Sequence, residues 1–255
     1  MSTNNISKIN RLLQSQPYGV VFLASWLEAN GYSRDLQRRY VKSGWLKPFG
    51  RGALVREGQQ IQWYGMINAL QNQTKKDIHA GARSALNLLG MSHYIEVTQK
   101  KIEVFTPCGV NLPNWFIHNN IDIDFIQYRT NFLPPNEGLT NYESRGINIS
   151  ISSAVRALLE CLYLSPYRFE LIEAYQIMEG LTAAHPEEVQ RLLSVCNSVK
   201  VVRLFLYLAE KADHSWIKKL DFKKINLGMG KRTIGTNGVL IRKYNIIVPV
   251  DLAKA

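Results

Sequence analysis

Residues 33–55 of the chain read SRDLQRRYVKSGWLKPFGRGALV, and this stretch decides the fold of the N-terminal part. Ser33 stands at an N-cap position, and Leu36 and Tyr40 lie four residues apart, on one face of the helix that follows. The helix is expected to end at Gly44, and the rest of the stretch predicts two short strands around a Gly-rich turn. The stretch is therefore a helix followed by a hairpin.

Two further apolar patterns at helical spacing precede this stretch. Residues 6–13 predict a first helix that Pro17 closes, and residues 22–27 predict a second helix that Gly31 stops. The helix after Ser33 is then the third helix of the N-terminal part and the second of a helix-turn-helix motif. It is apolar on one face and basic on the other. Because a basic hairpin follows it, the sequence predicts a winged helix that reads DNA.

The DNA contacts are predicted from the basic side of the third helix. Arg34, Arg38 and Lys42 lie opposite its apolar face and are expected to enter the major groove, where arginine can contact guanine with two hydrogen bonds. The flanks of the helix are expected to meet phosphates, and the hairpin to meet the minor groove or the backbone. In the alternative interpretation, Arg39 pairs with Asp35, and Lys42 is only a solvent-facing charge. The predicted DNA-contacting residues are Ser33, Arg34, Gln37, Arg38, Arg39, Lys42, Lys47 and Arg51.

The basic residues of the chain are segregated. The formal net charge is +11, but residues 1–76 hold 11 Lys/Arg against 3 Asp/Glu, residues 77–214 hold 11 against 15, and residues 215–255 hold 9 against 2. This segregation indicates contacts with polyanions at particular surfaces. The Gly-rich C-terminal stretch is a candidate second basic surface for nucleic acid or a protein partner, or else an inert hairpin loop. The residues of this second surface are Lys223, Lys224, Lys231 and Arg232.

At 255 residues, the chain is too long for a winged helix alone and predicts two domains. We expect a winged helix-turn-helix over residues 1–76 and a larger mixed α/β domain, with helices and a small sheet, over residues 77–255, so that the fold class is α+β. The apolar patterns predict strands at 94–97, 102–105, 121–126 and 147–151, with the first two paired. They predict helices at 61–70, 82–89, 154–164, 169–178, 186–195 and 201–211, and a hairpin between 227 and 250.

The compartment is predicted from the N-terminus and the cysteines. The first residues, MSTNN, lack the hydrophobic run of a signal peptide, and no stretch approaches about 18 uninterrupted apolar residues. Cys108, Cys161 and Cys196 are odd in number and form no CxxC pair or zinc spacing. We therefore expect a cytoplasmic protein without membrane contact, whose cysteines are buried, reduced thiols.

Two patterns resemble catalytic motifs but lack required parts. Asp122 and Asp124 form a DxD such as nucleotidyltransferases use to hold Mg²⁺, but Gly109 upstream is followed by Val110 instead of a second small residue. Alternation with two isoleucines is expected to place both aspartates on one solvent face of a strand. Residues 228–233 resemble part of a Walker loop, but Ile225 stands where its first glycine is needed, and Arg232 stands where Ser or Thr must follow the lysine. The five histidines have no metal-ligand spacing, so no catalytic residue, metal or cofactor is expected.

Several short motifs along the chain occur in an order known from one family. They are Gly44-Trp45-Leu46 within residues 36–54, SALNLLGMSHY at 84–94, LGMGKR at 227–232 and YNIIVP at 244–249. In this order and spacing, the chain resembles the AbiE-type antitoxins (the AbiEi family) of bacterial abortive-infection systems.

The resemblance implies a type IV antitoxin whose winged helix represses its own operon. It also implies that the second domain counters a co-encoded nucleotidyltransferase-like toxin, without needing a tight complex with it. The expected partner of the winged helix is double-stranded DNA of its own promoter, and we expect a monomer or weak dimer that pairs on inverted repeats. Two alternatives stay open: a one-component regulator with a ligand-sensing C-terminal domain, and a nucleic-acid-processing enzyme that uses Asp122 and Asp124.

Overall fold

The computed structural model of the protein describes residues 7–91, 100–236 and 238–255. Its helices are α1 (Lys8–Gln14), α2 (Ala24–Ala29), α3 (Arg34–Lys42), α4 (Trp63–Gln73), α5 (Ala82–Leu88), α6 (Asn114–Ile117), α7 (Ala154–Leu164), α8 (Leu171–Gly180), α9 (Pro186–Val195), α10 (Val199–Lys211) and α11 (Val250–Lys254). Its strands are β1 (Phe22–Leu23), β2 (Leu46–Gly50), β3 (Ala53–Arg56), β4 (His79–Ala80), β5 (Lys101–Thr106), β6 (Asp124–Arg129), β7 (Leu139–Ser144), β8 (Ile147–Ser152), β9 (Arg232–Thr233), β10 (Gly238–Ile241) and β11 (Ile246–Pro249). Short 3₁₀ helices occupy Ser215–Lys219, Phe222–Lys224 and Arg242–Tyr244.

The N-terminal part has the helices and the hairpin of a winged helix-turn-helix. The hydroxyl of Ser33 accepts a hydrogen bond from the backbone N–H of Leu36 at 3.4 Å and so caps α3, as its position predicted. The hairpin of β2 and β3, which we call the wing, turns at Gly52, where φ is +79° and favours glycine. β1 pairs with the other edge of β3, which gives an antiparallel sheet in the order β1-β3-β2.

The helix predicted over residues 22–27 was wrong at its start. Phe22 and Leu23 are extended and pair with Leu54 and Ala53 of the wing, and α2 begins only at Ala24. Both residues are apolar and buried in either conformation, so their spacing alone does not separate a strand from a helix. The pairing with β3 decides between the two.

A small apolar core holds the three N-terminal helices against the wing. Leu12 of α1, Phe22, Leu27 of α2, Tyr40 of α3 and Leu46 of the wing are all buried in this cluster. Each of the three helices and the wing therefore contributes one side chain to a common centre, which fixes their relative orientation.

The larger part of the chain is built on a mixed sheet in the order β6-β5-β4-β8-β7. β5 runs parallel to β6 and antiparallel to β4, and β8 runs parallel to β4 and antiparallel to β7. α7 packs against α5, α8 and α10 and is buried over most of its length, which explains its almost continuous apolar sequence. The structure confirms the strands predicted at 102–105 and 147–151. It also confirms the six predicted helices, which are α4, α5 and α7 to α10, whereas α6 was not predicted. The strand predicted at 94–97 lies outside the described residues.

α4 joins the winged helix to this sheet. It packs on β8, and the side-chain amide of its residue Asn68 donates a hydrogen bond to the backbone carbonyl of Asn148 at 2.7 Å. A side chain at Gly65 would collide with the backbone carbonyl of Gly19, so the loop before β1 lies directly on the helix. α4 therefore belongs to the large core, although it falls within the predicted first domain, and the boundary at residue 76 stays a prediction.

A buried polar cluster ties α7 to the sheet. The carboxylate of Glu160, which is fully buried, accepts hydrogen bonds from Nε of Arg156 at 2.9 Å, from Oγ of Ser152 at 2.7 Å and from the backbone N–H of Ala82 at 2.9 Å. Nε2 of His79 lies 2.9 Å from the same carboxylate. Burial by itself raises the pKa of Glu160, but attraction to His79 and Arg156 outweighs it and lowers that pKa to about 2.

The C-terminal stretch forms the predicted hairpin, with an addition. β10 and β11 pair antiparallel, and β9 adds to the other edge of β11 in parallel. The buried Arg203 of α10 holds the Gly-rich loop, because its guanidinium donates to the carbonyls of Leu227, Gly228 and Gly230 at 2.6–3.1 Å.

The expectation of three buried thiols was wrong for one of them. Cys161 and Cys196 are buried, but Cys108 is exposed in the turn after β5. In the described residues, no helix is both long and apolar enough to cross a membrane.

Candidate DNA-binding surface

α3 and the wing enclose a groove of about 790 Å³. Four basic side chains line it: Arg34, Arg38 and Lys42 from α3, and Arg51 from the turn of the wing. Among the described residues, no acidic side chain lines it. The groove thus combines a helix face and a hairpin tip that are both basic, which favours contact with phosphates.

Two of the groove cations are held by exposed ion pairs. Arg34 lies 3.3 Å from the carboxylate of Glu28, and Arg38 lies 3.1 Å from that of Asp35. The expected alternative partner of Asp35 was Arg39, but the structure pairs Asp35 with Arg38 at i,i+3. Exposed pairs of this kind contribute only about 0–1 kcal/mol, so DNA can replace the carboxylates at little cost.

Gln37 was predicted to lie on a DNA-facing flank, and its placement is different. Its side chain is only 6% exposed, and Nε2 donates to the carbonyls of Tyr32 at 2.7 Å and Ala24 at 3.1 Å. The buried stripe of α3 therefore runs through Gln37 and Tyr40, and Leu36 is only partly buried. Gln37 also lines the groove, but its amide donates to backbone carbonyls of α2 and of the turn after it. Its contact with DNA stays a prediction.

The other predicted contacts lie outside the groove. Lys47 is exposed on the wing and lines a different depression, which is shared with Gln59 and Asn120. Arg39 is exposed on α3 but does not line the groove, and Ser33 serves as the cap of the helix. The structure thus brings five of the eight predicted residues to one groove, the four cations and Gln37.

The wing is supported by a contact that the sequence did not indicate. The ring of Phe49 meets that of Trp115 edge-on, with centroids 6.2 Å apart, and α6 packs on β2. A Cβ at Gly50 would lie 2.6 Å from the Cβ of Trp115, so only glycine permits this approach. The part of the chain that follows the winged helix therefore positions the wing, and with it Arg51.

The predicted second basic surface is divided between two elements. Lys223 and Lys224 lie in the 3₁₀ helix after Asp221, and Lys231 and Arg232 lie at the start of the C-terminal sheet. All four are exposed, and in the described part of the chain no hydrogen bond or ion pair joins the two pairs. Whether they act together stays a prediction.

The two aspartates considered for catalysis do not share a strand face. Asp122 lies in a turn with a φ of +57°, and β6 begins only at Asp124. The strand predicted over 121–126 was therefore wrong at its start, because residues 121–123 form a turn before the strand. Lys100 donates to the Asp122 carboxylate at 2.8 Å, and this hydrogen bond lowers the pKa of Asp122. Within residues 7–91, 100–236 and 238–255, no group of three or more His, Cys, Asp or Glu side chains could hold a metal ion.

A winged helix with a basic groove, joined to a mixed α/β part, is an architecture typical of transcriptional regulators. One family profile, described as transcriptional regulator, AbiEi antitoxin, type IV toxin–antitoxin system, matches residues 99–249. A second, described as transcriptional regulator, AbiEi antitoxin N-terminal domain, matches residues 5–97. The chain belongs to the AbiEi family of type IV antitoxin transcriptional regulators, as its motifs predicted.

One solved structure has a similar fold over nearly the whole length. The crystal structure of the RV2827C protein from Mycobacterium tuberculosis superposes with a TM-score of 0.61, at 15% sequence identity, covering 96% of this chain and 92% of that one. At this identity the likeness supports the shared α+β fold and nothing further. No curated protein sequence matches the chain.

Proposed function

We propose that this protein binds double-stranded DNA upstream of its own gene and represses transcription from it. The observation that carries the proposal is the groove between α3 and the wing, with Arg34, Arg38, Lys42 and Arg51 on its walls. Arg38 is exposed near the middle of the helix, where it can reach a guanine edge. Arg51 at the tip of the wing is placed to contact the backbone or the minor groove.

We further propose that two copies bind side by side on an inverted repeat. One winged helix covers one half-site, and specificity for a promoter usually requires two half-sites about one helical turn apart. The free protein is a monomer or a weak dimer in this proposal, and DNA brings the copies together.

The proposed role of the second domain is to counter a co-encoded nucleotidyltransferase-like toxin, without a tight complex and without catalysis by this chain. Membership of the antitoxin family supports the first part. The non-enzymatic role is supported by the position of Asp122, which is paired with Lys100 and lies outside the strand that begins at Asp124.

The test of DNA binding is fluorescence anisotropy with the duplex directly upstream of the gene and with a scrambled duplex, over a series of salt concentrations. If each of the four groove cations neutralises one phosphate, log K falls with log salt at a slope of about −3 to −4. Arg38→Ala is expected to weaken upstream binding by about 1–3 kcal/mol and to reduce the preference over the scrambled duplex. Arg11→Ala, which removes an exposed arginine of α1 outside the groove, is the matched control and leaves the affinity unchanged. Equal loss in both variants contradicts a specific role of the groove.

The test of the antitoxin role is growth of cells that express the neighbouring toxin gene with this chain or its variants. We expect wild type and Arg38→Ala to restore growth equally when both are expressed from a foreign promoter, because the second domain carries the antitoxin role. Loss of rescue in Arg38→Ala would place neutralisation in the winged helix instead.

A further inference from the structure

A second cleft, of about 610 Å³, lies in the part of the chain that follows the winged helix. Its walls are the end of β6, the loop between α7 and α8, the start of α10 and β9 with the residues after it. It shares no lining residue with the groove between α3 and the wing. The DNA-binding proposal therefore leaves this cleft without a role.

The charge of the cleft is of one sign. Arg129, Arg168 and Lys200 line it, and no acidic side chain of residues 7–91, 100–236 or 238–255 does. In the part of the chain that the structure describes, none of the three forms an ion pair with a carboxylate, although the surrounding segment from 77 to 214 carries a net negative charge. Three cations without counter-charges in one concave site favour an anionic ligand.

Aromatic rings line the same cleft. The ring of Tyr163 stacks on that of Phe132, with centroids 4.4 Å apart, so one of its faces is fixed by packing. The guanidinium of Arg168 lies 5.5 Å from the centre of the Tyr128 ring. Tyr167, in the loop beside them, is 92% exposed and has the most exposed large apolar ring of the described residues. Proteins bind nucleotides with this combination of groups: a base stacks on an exposed aromatic ring, and the phosphate contacts nearby cations.

Lys200 is held in place before any ligand arrives. Its ammonium donates to the backbone carbonyls of Tyr163 at 2.8 Å and Ser165 at 2.7 Å, which leaves one N–H for a further acceptor. Its partial burial lowers the pKa of Lys200. The ammonium is thus a fixed point charge at the wall of the cleft, and the two arginines add planar guanidinium donors to the same lining.

We propose that this cleft binds a nucleotide, with its phosphate among Arg129, Arg168 and Lys200 and its base stacked on Tyr167. The same chemistry is offered by a free nucleotide and by one nucleotide of a single strand. A bare anion would use the cations but not the exposed ring, and a double helix would present no free base face. The site is separate from the groove, so its failure would leave the proposed DNA binding untouched.

The experiment uses the full-length protein and a fluorescein-labelled decauridylate, followed by anisotropy at near-physiological salt. Unlabelled uridine monophosphate, inorganic phosphate, decauridylate and the upstream duplex serve as competitors. Displacement by uridine monophosphate but not by phosphate supports a free nucleotide as the ligand, and displacement by decauridylate alone supports a single strand. Displacement by phosphate as effective as by the nucleotide, or displacement by the upstream duplex, would overturn the proposal in favour of a bare anion site or of the winged helix.

Variants locate the binding on the protein. The double variant Arg129→Gln, Arg168→Gln and the single variant Tyr167→Ser are each expected to weaken decauridylate binding about tenfold to a hundredfold. The matched control is the double variant Lys218→Gln, Lys219→Gln, which removes the same charge from exposed residues outside the cleft, the groove and the predicted second basic surface. Circular dichroism confirms folding, which these exposed substitutions leave intact. An equal loss in the control, or no loss with Tyr167→Ser, would refute the site.

Discussion

Replacing Glu160 by Gln tests whether the buried polar cluster stabilises the second domain. The substitution keeps the size of the side chain but removes its charge and turns one acceptor oxygen into a donor. That new donor faces Arg156 Nε, His79 or the N–H of Ala82, which all lie 2.9 Å from the carboxylate. Arg156 Nε and the N–H of Ala82 can only donate, so they cannot accept a hydrogen bond from the new amide. The guanidinium of Arg156, whose side chain is 4% exposed, loses its counter-charge.

Removing one partner of a buried pair costs about 3–5 kcal/mol, because the remaining charge stays buried without compensation. We therefore expect Glu160→Gln to lower the free energy of unfolding by about 4 kcal/mol and the melting temperature by about 10 °C. The assay is urea unfolding of the full-length protein followed by circular dichroism at pH 7. Glu143→Gln, an exposed change on β7, is the matched control and is expected to change stability by less than about 0.5 kcal/mol.

The pH dependence gives an independent check of the same reasoning. The pKa of Glu160 is lowered from its usual value of 4.5 to about 2 in the folded protein. A lowered folded-state pKa means that the carboxylate stabilises the fold fully above pH 4.5 and loses this contribution as pH falls towards 2. The difference between wild type and Glu160→Gln should therefore shrink between pH 5 and pH 2. A variant as stable as wild type at pH 7, or a difference that does not depend on pH, would refute the assignment.

Three further predictions concern the rest of the fold. Gln37→Ala should lower the free energy of unfolding by about 1–3 kcal/mol in urea unfolding, because two backbone carbonyls lose their donor. Anisotropy should show little change in affinity for the upstream duplex, since the side chain is buried; a selective loss of affinity would show that Gln37 contacts DNA. Gly65→Ala should destabilise the protein by about 1–3 kcal/mol, since the new methyl group meets the backbone carbonyl of Gly19. The assay is thermal unfolding, and an unchanged melting temperature would show that α4 can move away from this carbonyl. A maleimide should label one thiol of the native protein, Cys108, and three after denaturation, because burial raises the pKa of the other two thiols; labelling of more than one native thiol would contradict this burial.

Local patterns predicted the elements well, and they failed where a partner far along the chain decides the outcome. α3 was predicted from its cap and its apolar spacing, both of which lie within the helix. Phe22 and Leu23 fit a helix by spacing, but β3 offers them a strand edge. Gln37 is polar and was expected outside, but carbonyls of the preceding turn and helix satisfy its amide inside.

The sequence predicted how many basic residues the N-terminal segment holds, but not which of them reach the surface. Arg56 adds to the basic N-terminal count, yet it is buried, and its guanidinium lies 4.5 Å from the centre of the Tyr18 ring. Burial lowers the pKa of Arg56, and its Nη2 donates to carbonyls at the end of α1. Net charge is additive along a sequence, whereas the surface that presents it depends on which side chains the fold encloses.

The winged helix, the α+β class and the family could be predicted from the residues alone, because caps, helical periods and strand alternation depend on neighbours within a few residues. Which cations face one groove depends on contacts distant in sequence, since the place of Arg51 beside α3 is set by the pairing of β3 with β1 and by the contact of Trp115 with the wing. The same holds for the cleft of Arg129, Arg168 and Lys200. These residues come from a strand, a loop and a helix that are distant in sequence, and strand order and packing in the folded chain bring them together.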